Sequence, residues 1–281
     1  MKRLLAAVVL IGVVAAVAVA AWRQLGGQPT VPRSQTCTAV VGDLAARLDL
    51  DQSGNAALIV ALSVRRGLPA RAGTIALATA MQESKLYNID YGDRDSLGLF
   101  QQRPSQGWGT PAQVRDPVHA TERFYDGLVT VGGYESMPIT DAAQAVQRSA
   151  YPEAYAQHES AARALASALS GQSPRALTCE LDPPAEGHPA EVRRDLETAF
   201  GATIGTPVVR GRSVTAAVGT PDHGWAMAHY LIARAERLGI SRVAYHGWAW
   251  SAADSPEGWV RTEDTVRGRL SATVAGPAPS A

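Results

Sequence analysis

The feature that most constrains this chain stands at its start. Met1-Lys2-Arg3 is followed by an uncharged, apolar run from Leu4 to Trp22. A helix of about 20 such residues crosses a bilayer. Positive charge ahead of the run holds the N-terminus inside. The run is expected to be a retained single-pass anchor or a signal peptide. Its length favours the anchor, while Ala16-Val17-Ala18 and Ala18-Val19-Ala20 offer small-residue cleavage sites. Both fates place the rest of the chain outside the cytoplasm, either on the cell membrane or secreted. The fold must then be built from residues beyond 23.

Charge and cysteine content narrow the function classes. The chain of 281 residues carries 26 Lys and Arg against 26 Asp and Glu. A neutral chain lacks the basic field that nucleic-acid binding uses, so no nucleic-acid partner is expected. Two cysteines, Cys37 and Cys179, are expected to form a disulfide in an exported chain. Closing so long a loop stabilises a fold by ~4 kcal/mol in the chain-entropy model. Their spacing is unlike a zinc site.

Composition along the chain suggests an α+β protein with two domains. Residues 1–23 are the anchor or signal, and 24–36 form a Gly- and Pro-rich linker. Residues 37–170 are predicted to be mostly helical. Helical stretches are expected over 56–62, 72–86, 117–131, 141–148 and 153–169, with Gly67-Leu68-Pro69 and Gly132-Gly133 as stops. Pro117 suits a first helical turn and Asp141 suits an N-cap. Residues 171–189 read as a second linker, rich in Pro. Residues 190–275 then read as a small α/β unit, with strands at 213–218 and 242–245 and a helix over 223–238. Residues 276–281 read as a disordered tail.

One stretch suggests chemistry. Ala80-Met81-Gln82-Glu83-Ser84 ends the predicted 72–86 helix, and the loop Tyr91-Gly92-Asp93-Arg94-Asp95-Ser96-Leu97 leads to Gly98-Leu99-Phe100-Gln101. Ala80, Thr79 and Ala76 share a helix face with Glu83, which places the carboxyl near the packed side. Burial and the negative helix end both disfavour its ionised form. A carboxylic acid kept protonated near neutral pH can donate to a glycosidic oxygen. The Gly-rich return is expected to bring the Gln101 amide and an apolar wall from Phe100 to a sugar cleft.

These motifs resemble the lysozyme-like superfamily, and are similar to those of lytic transglycosylases and goose-type lysozymes. The shared pattern is a helix ending in Glu-Ser, a loop, then Gly-Leu-(Met or Phe)-Gln. Glu83-Ser84 and Gly98-Leu99-Phe100-Gln101 match it, and Pro104 and Asp116-Pro117 also fit. The resemblance covers about residues 55–170. It implies that Glu83 is the catalytic acid, and that peptidoglycan strands are cut at the β-1,4 bond between N-acetylmuramic acid and N-acetylglucosamine. Ser84, Gly98, Leu99, Phe100 and Gln101 are then the expected substrate-binding set. Gly92-Asp93-Arg94 resembles the motif whose Asp positions water in goose-type lysozymes, which makes Asp93 a second catalytic candidate. An Asp of that family, two residues after the Gln, is replaced here by Arg103. Where transglycosylases carry Ala-Tyr-Asn-Ala-Gly, this chain has Tyr151 and Tyr155 but lacks the Asn. The outcome therefore stays open between hydrolysis and attack by the muramyl C6 hydroxyl.

General acid catalysis requires no cofactor and no metal. In the C-terminal unit, His223, His229 and His246 lack a shared face, and Trp248, Trp250 and Trp259 form an aromatic group suited to core packing or to glycan stacking. Around His223-Gly224-Trp225-Ala226-Met227 this unit faintly resembles an α/β domain of secreted Gram-positive proteins, which implies a binding or inactive accessory module. The rival for the whole chain is a non-catalytic wall-binding or scaffolding protein of the same fold. A wall peptidase acting through the C-terminal unit is a third reading.

Overall fold

A computed structural model describes residues 35–148 and 152–276. The apolar run, residues 24–34 of the first linker, Tyr151 and the tail from 277 lie outside the described residues. Among the described residues, no helix is long and apolar enough to cross a membrane.

The fold mixes helices with two antiparallel sheets. It opens with a hairpin, β1 (Thr36–Val41) and β2 (Leu44–Asp49), inside the segment 37–170 expected to be mostly helical. The strand signal is a short alternation: Cys37 and Ala39 are buried while their neighbours are not, and Thr and Val suit a pleated surface. Asp49 ends β2 and caps α1 (Leu50–Arg65) in a capping box with Gln52. Helix α2 (Ala70–Ser84) follows Pro69 and is buried from Ala72 to Met81. Its small residues allow neighbouring helices to close in on all sides.

Two short Pro-led helices come next. They are α3 (Pro111–Val114) and α4 (Pro117–Leu128), the latter capped by Asp116, whose carboxylate accepts from His119 N. Helix α5 (Ile139–Gln147) is followed by a 3-10 segment, Pro152–His158, and then α6 (Glu159–Leu169), where a single helix is expected from 153. Helix α6 packs on α2 and across β1 and β2.

The stretch 171–189, read as a linker, holds β3 (Leu177–Glu180), which pairs with β1 to give the order β2-β1-β3. Cys37 faces Cys179 in that register, and the two form the expected disulfide. Helix α7 (Pro189–Phe200) leads into a six-stranded sheet of β4 (Val208–Arg210), β5 (Ser213–Ala217), β6 (Ile240–Tyr245), β7 (Trp248–Ser251), β8 (Val260–Arg261) and β9 (Arg269–Val274). Its order is β4-β5-β9-β6-β7-β8. The helix expected over 223–238 is present as α8 (Pro221–Ala233) and α9 (Ala235–Leu238), interrupted at Arg234. The Arg234 guanidinium reaches both Asp195 and the carbonyl of Gly54.

Helix α8 explains how the two halves cohere. Every residue from Gly224 to Ala233 is buried, because β6 and β9 cover one side while α1 and α6 cover the other. The described residues belong to one compact unit with one hydrophobic core. The tryptophans reinforce this junction. Leu177 and Cys179 carbonyls, on the edge of β3 away from β1, accept from the indoles of Trp259 at 2.8 Å and Trp250 at 3.1 Å. Side-chain donors therefore satisfy an otherwise open sheet edge. Trp248 lies under the guanidiniums of Arg175 and Arg261. All three rings thus have structural partners rather than forming an open stacking platform. His229 is buried between Trp225 and Trp259, with Nδ1 2.6 Å from the Ala168 carbonyl. Burial lowers its pKa to about 4. Among the described residues, no group of three or more His, Cys, Asp or Glu is placed to hold a metal.

Candidate active site

Glu83 sits in the last turn of α2, and the chain reverses immediately after it. Lys85 and Leu86 both adopt left-handed backbone, with φ of 56° and 64°. Their amides close the helix by bonding Met81 and Ala80 carbonyls. Their carbonyls are held by α1: Gln52 Nε2 donates to Lys85 O at 2.9 Å and Asn55 Nδ2 donates to Leu86 O at 2.8 Å. Two non-Gly residues in this region store strain, so α1 acts as the brace for the helix end that carries Glu83.

The return is pinned from several directions. Leu97 and Gln102 exchange backbone hydrogen bonds, which closes the Gly98–Gln101 loop. Gly98 has φ of 76°, and a Cβ there would lie 2.3 Å from Val114 O, so only Gly fits. Ser84 Oγ donates to Leu99 O at 2.7 Å within the core. Gln147 Nε2, from the end of α5, donates to Phe100 O at 2.7 Å. Ser84 and Gln147 thus hold consecutive carbonyls of the return against the two helices that frame Glu83.

The Glu83 carboxyl is partly buried beside two side chains. Tyr155, from the 3-10 segment, donates its hydroxyl to Oε1 at 2.7 Å, and the Gln147 amide also bonds the carboxyl. Burial raises the Glu83 pKa above the ordinary carboxylate range, and these hydrogen bonds offset part of the rise. The fold thus places the Tyr155 hydroxyl against the Glu83 carboxyl.

The rest of the expected set divides. Leu99 and Phe100 are both 0% exposed, and Phe100 stacks on Phe124 with centroids 4.8 Å apart. The expected apolar wall from Phe100 is thus in the core, since an aromatic partner on α4 covers it. Gln101 folds back on its own loop, with Nε2 at 3.3 Å from both Tyr91 O and Gly98 O. Its Oε1 fills the space of a missing side chain at Gly92, where a Cβ would lie 2.0 Å away. Asp93 is 88% exposed and its partner is the adjacent Arg94 at 3.9 Å.

Three contributors escape local sequence reading. Gln147 is the first. Asp95 is the second: it accepts from Arg103 Nε at 3.0 Å, Ser105 N at 2.7 Å and Ser105 Oγ at 2.9 Å, and is pulled down to about 2, chiefly by the Ser105 amide and then by Arg103. Arg103 is thus committed to locking this loop. The third is the pair Gln157 and His158, both at 3.1 Å from Gln82 Oε1 beside Glu83. Burial lowers the His158 pKa, keeping the ring neutral to lower pH. The signal for Asp95, Arg103 and Ser105 is their Asp-Arg-Ser chemistry around a tight loop. Gln147 and Gln157 carry no comparable signal.

On the α5 side of Gln147 a cavity of about 560 Å³ opens, with Trp108, Arg123 and Arg148 among its lining. The arrangement offers a carboxyl held above its ordinary pKa, a phenol and an amide that fix it, and a cavity lined by that same amide residue. No protein-family model matches the chain, and no curated protein matches it either.

Proposed function

We propose that this protein is a peptidoglycan glycosidase that cleaves the β-1,4 bond between N-acetylmuramic acid and N-acetylglucosamine. Glu83 is its general acid, acting at the outer face of the membrane or in the wall. The observation that carries this reading is the raised pKa of Glu83, imposed by burial at a braced helix end. With Tyr155 donating to Oε1, the second carboxyl oxygen is the one that carries the proton to the leaving N-acetylglucosamine oxygen. No metal or organic cofactor enters this chemistry.

The disposition of the other carboxylates favours the non-hydrolytic route. Asp93 is exposed and paired with Arg94, and Asp95 is committed to Arg103 and Ser105. In that route the muramyl C6 hydroxyl attacks C1 as the glycosidic bond breaks. Glu83, ionised by its first transfer, takes the C6 hydroxyl proton, and an anhydro sugar forms.

The test is mass spectrometry of purified peptidoglycan after incubation with the wild type or with Glu83→Gln. Anhydro ends from the wild type and none from the variant support the proposal. Reducing ends replace the transglycosylase route with hydrolysis. Release by neither protein, on wall that another lysozyme digests, leaves a non-catalytic wall-binding protein.

A further inference from the structure

Gln147 belongs to two places at once. Its amide bonds Glu83 and the Phe100 carbonyl, and its side also lines the cavity of about 560 Å³ between α4 and α5. Ligand pockets run from about 300 to 1,000 Å³, so this one admits more than a single ring substituent. Trp108 forms part of its wall.

The charge of the lining is unbalanced. Arg123 and Arg148 are both present, with Asp126 as the lining carboxylate. Asp126 is shared with Arg66, outside the cavity, at 2.9 Å, and reaches Arg123 only at 3.4 Å. Arg148 has no ion-pair partner among the described residues. It also caps α5 in left-handed backbone, with φ of 53°. Gly or Asn would fill such a position at less cost. A strained cap that keeps an Arg in the cavity lining is the pattern expected where the side chain has a use.

We propose that this cavity recognises the carboxylate-bearing substituent of muramic acid, with Arg123 and Arg148 as the binding cations and Trp108 as the apolar wall. The inference rests on the glycosidase reading above. Muramic acid differs from N-acetylglucosamine by an acidic lactyl group, on which a peptide with further carboxylates is built. A guanidinium pair in a cavity that shares Gln147 with the Glu83 carboxyl would set which sugar occupies that side of the acid. The shared chemistry is a carboxylate, borne either by the lactyl group or by the peptide.

The experiment is calorimetric binding to full-length protein carrying Glu83→Gln, which holds substrate uncut. Three soluble glycan oligomers are compared: peptide-bearing with free carboxylates, the same with carboxylates converted to carboxamides, and peptide-free with bare lactyl carboxylates. The free-carboxylate form is expected to bind about tenfold more tightly than its carboxamide counterpart. Adding Arg123→Gln and Arg148→Gln is expected to equalise the two. If the peptide-free oligomer binds like the first, the lactyl group is the source; if it binds like the second, the peptide is. Equal affinity with both arginines present, no measurable binding, or a preference that survives their removal overturns the proposal. Cleavage by the wild type is measured separately. Cleavage without carboxylate preference defeats this inference alone, and preference without cleavage defeats the glycosidase reading alone.

Discussion

A carboxyl group that donates a proton near neutral pH must be kept protonated by its surroundings, and this has a consequence for stability. The Glu83 pKa is raised in the fold, mainly by burial, against the pull of Tyr155 and Gln147. The contribution of such a group is fully present below the ordinary carboxylate pKa of about 4.3 and is lost as pH rises through the folded value. Above that ordinary pKa, holding Glu83 in its buried site rather than ionised in water therefore costs the fold free energy. Glu83→Gln removes that cost while keeping the shape. It is expected to raise stability by roughly 1–2 kcal/mol at about pH 7 and by little at about pH 3.5. Thermal melts at both pH values check this, and an equal gain at both contradicts it. Glu83 is legible as a candidate because Glu-Ser and Gly-Leu-Phe-Gln stand close together in the chain. Gln147 is not, because its approach to Glu83 is made by the packing of α5 and leaves no local pattern. Phe100 is misread for a related reason: an aromatic after Gly-Leu suits a cleft or a core equally, and its stacking partner Phe124 lies on a separate helix.

At the scale of elements, the helix end is maintained by its neighbour rather than by its own sequence. Lys85 and Leu86 occupy left-handed backbone that neither residue favours, and Asn55 supplies the donor that holds the Leu86 carbonyl. Asn55→Ala leaves that carbonyl without its side-chain donor and frees the strained turn. A loss of about 1–2 kcal/mol is expected in denaturant unfolding. A change within error would mean that the turn holds itself. Long elements with strong stops, such as α4 after Asp116-Pro117, are legible because the cap and the proline act within one turn. The hairpin of β1 and β2 is not, since its alternation spans too few residues to outweigh the apolar helix pattern beyond it. β3 is concealed still further: its pairing with β1 joins distant parts of the chain, and its Pro-rich surroundings read as a connection.

At the scale of the molecule, the question is whether residues 37–170 and 190–275 unfold together. Composition suggests two domains, because the stretch between them is rich in Pro and Gly. Packing argues for one cooperative body. Helix α8 buries itself against the six-stranded sheet and against α1 and α6 together. Trp250 and Trp259 donate across to β3, Arg234 reaches Gly54, and β3 is bonded to β1 through Cys37 and Cys179. Removing either half leaves α8 with an uncovered apolar face. Calorimetry of the protein is therefore expected to show one transition for the described residues, with calorimetric and van't Hoff enthalpies in agreement. The paired change Cys37→Ala and Cys179→Ala opens a loop with a sequence separation of 142. It is expected to lower stability by about 4 kcal/mol, the chain-entropy figure for so long a loop. The transition should stay single, because the disulfide ties strands within one core and is not the sole link between halves. If the double variant splits into two transitions, the disulfide is what couples the halves, and the packing of α8 across them is too weak to do so. If the loss is small and the transition stays single, β1 and β3 are already held in register by their own ladder and by the two indoles on its outer edge.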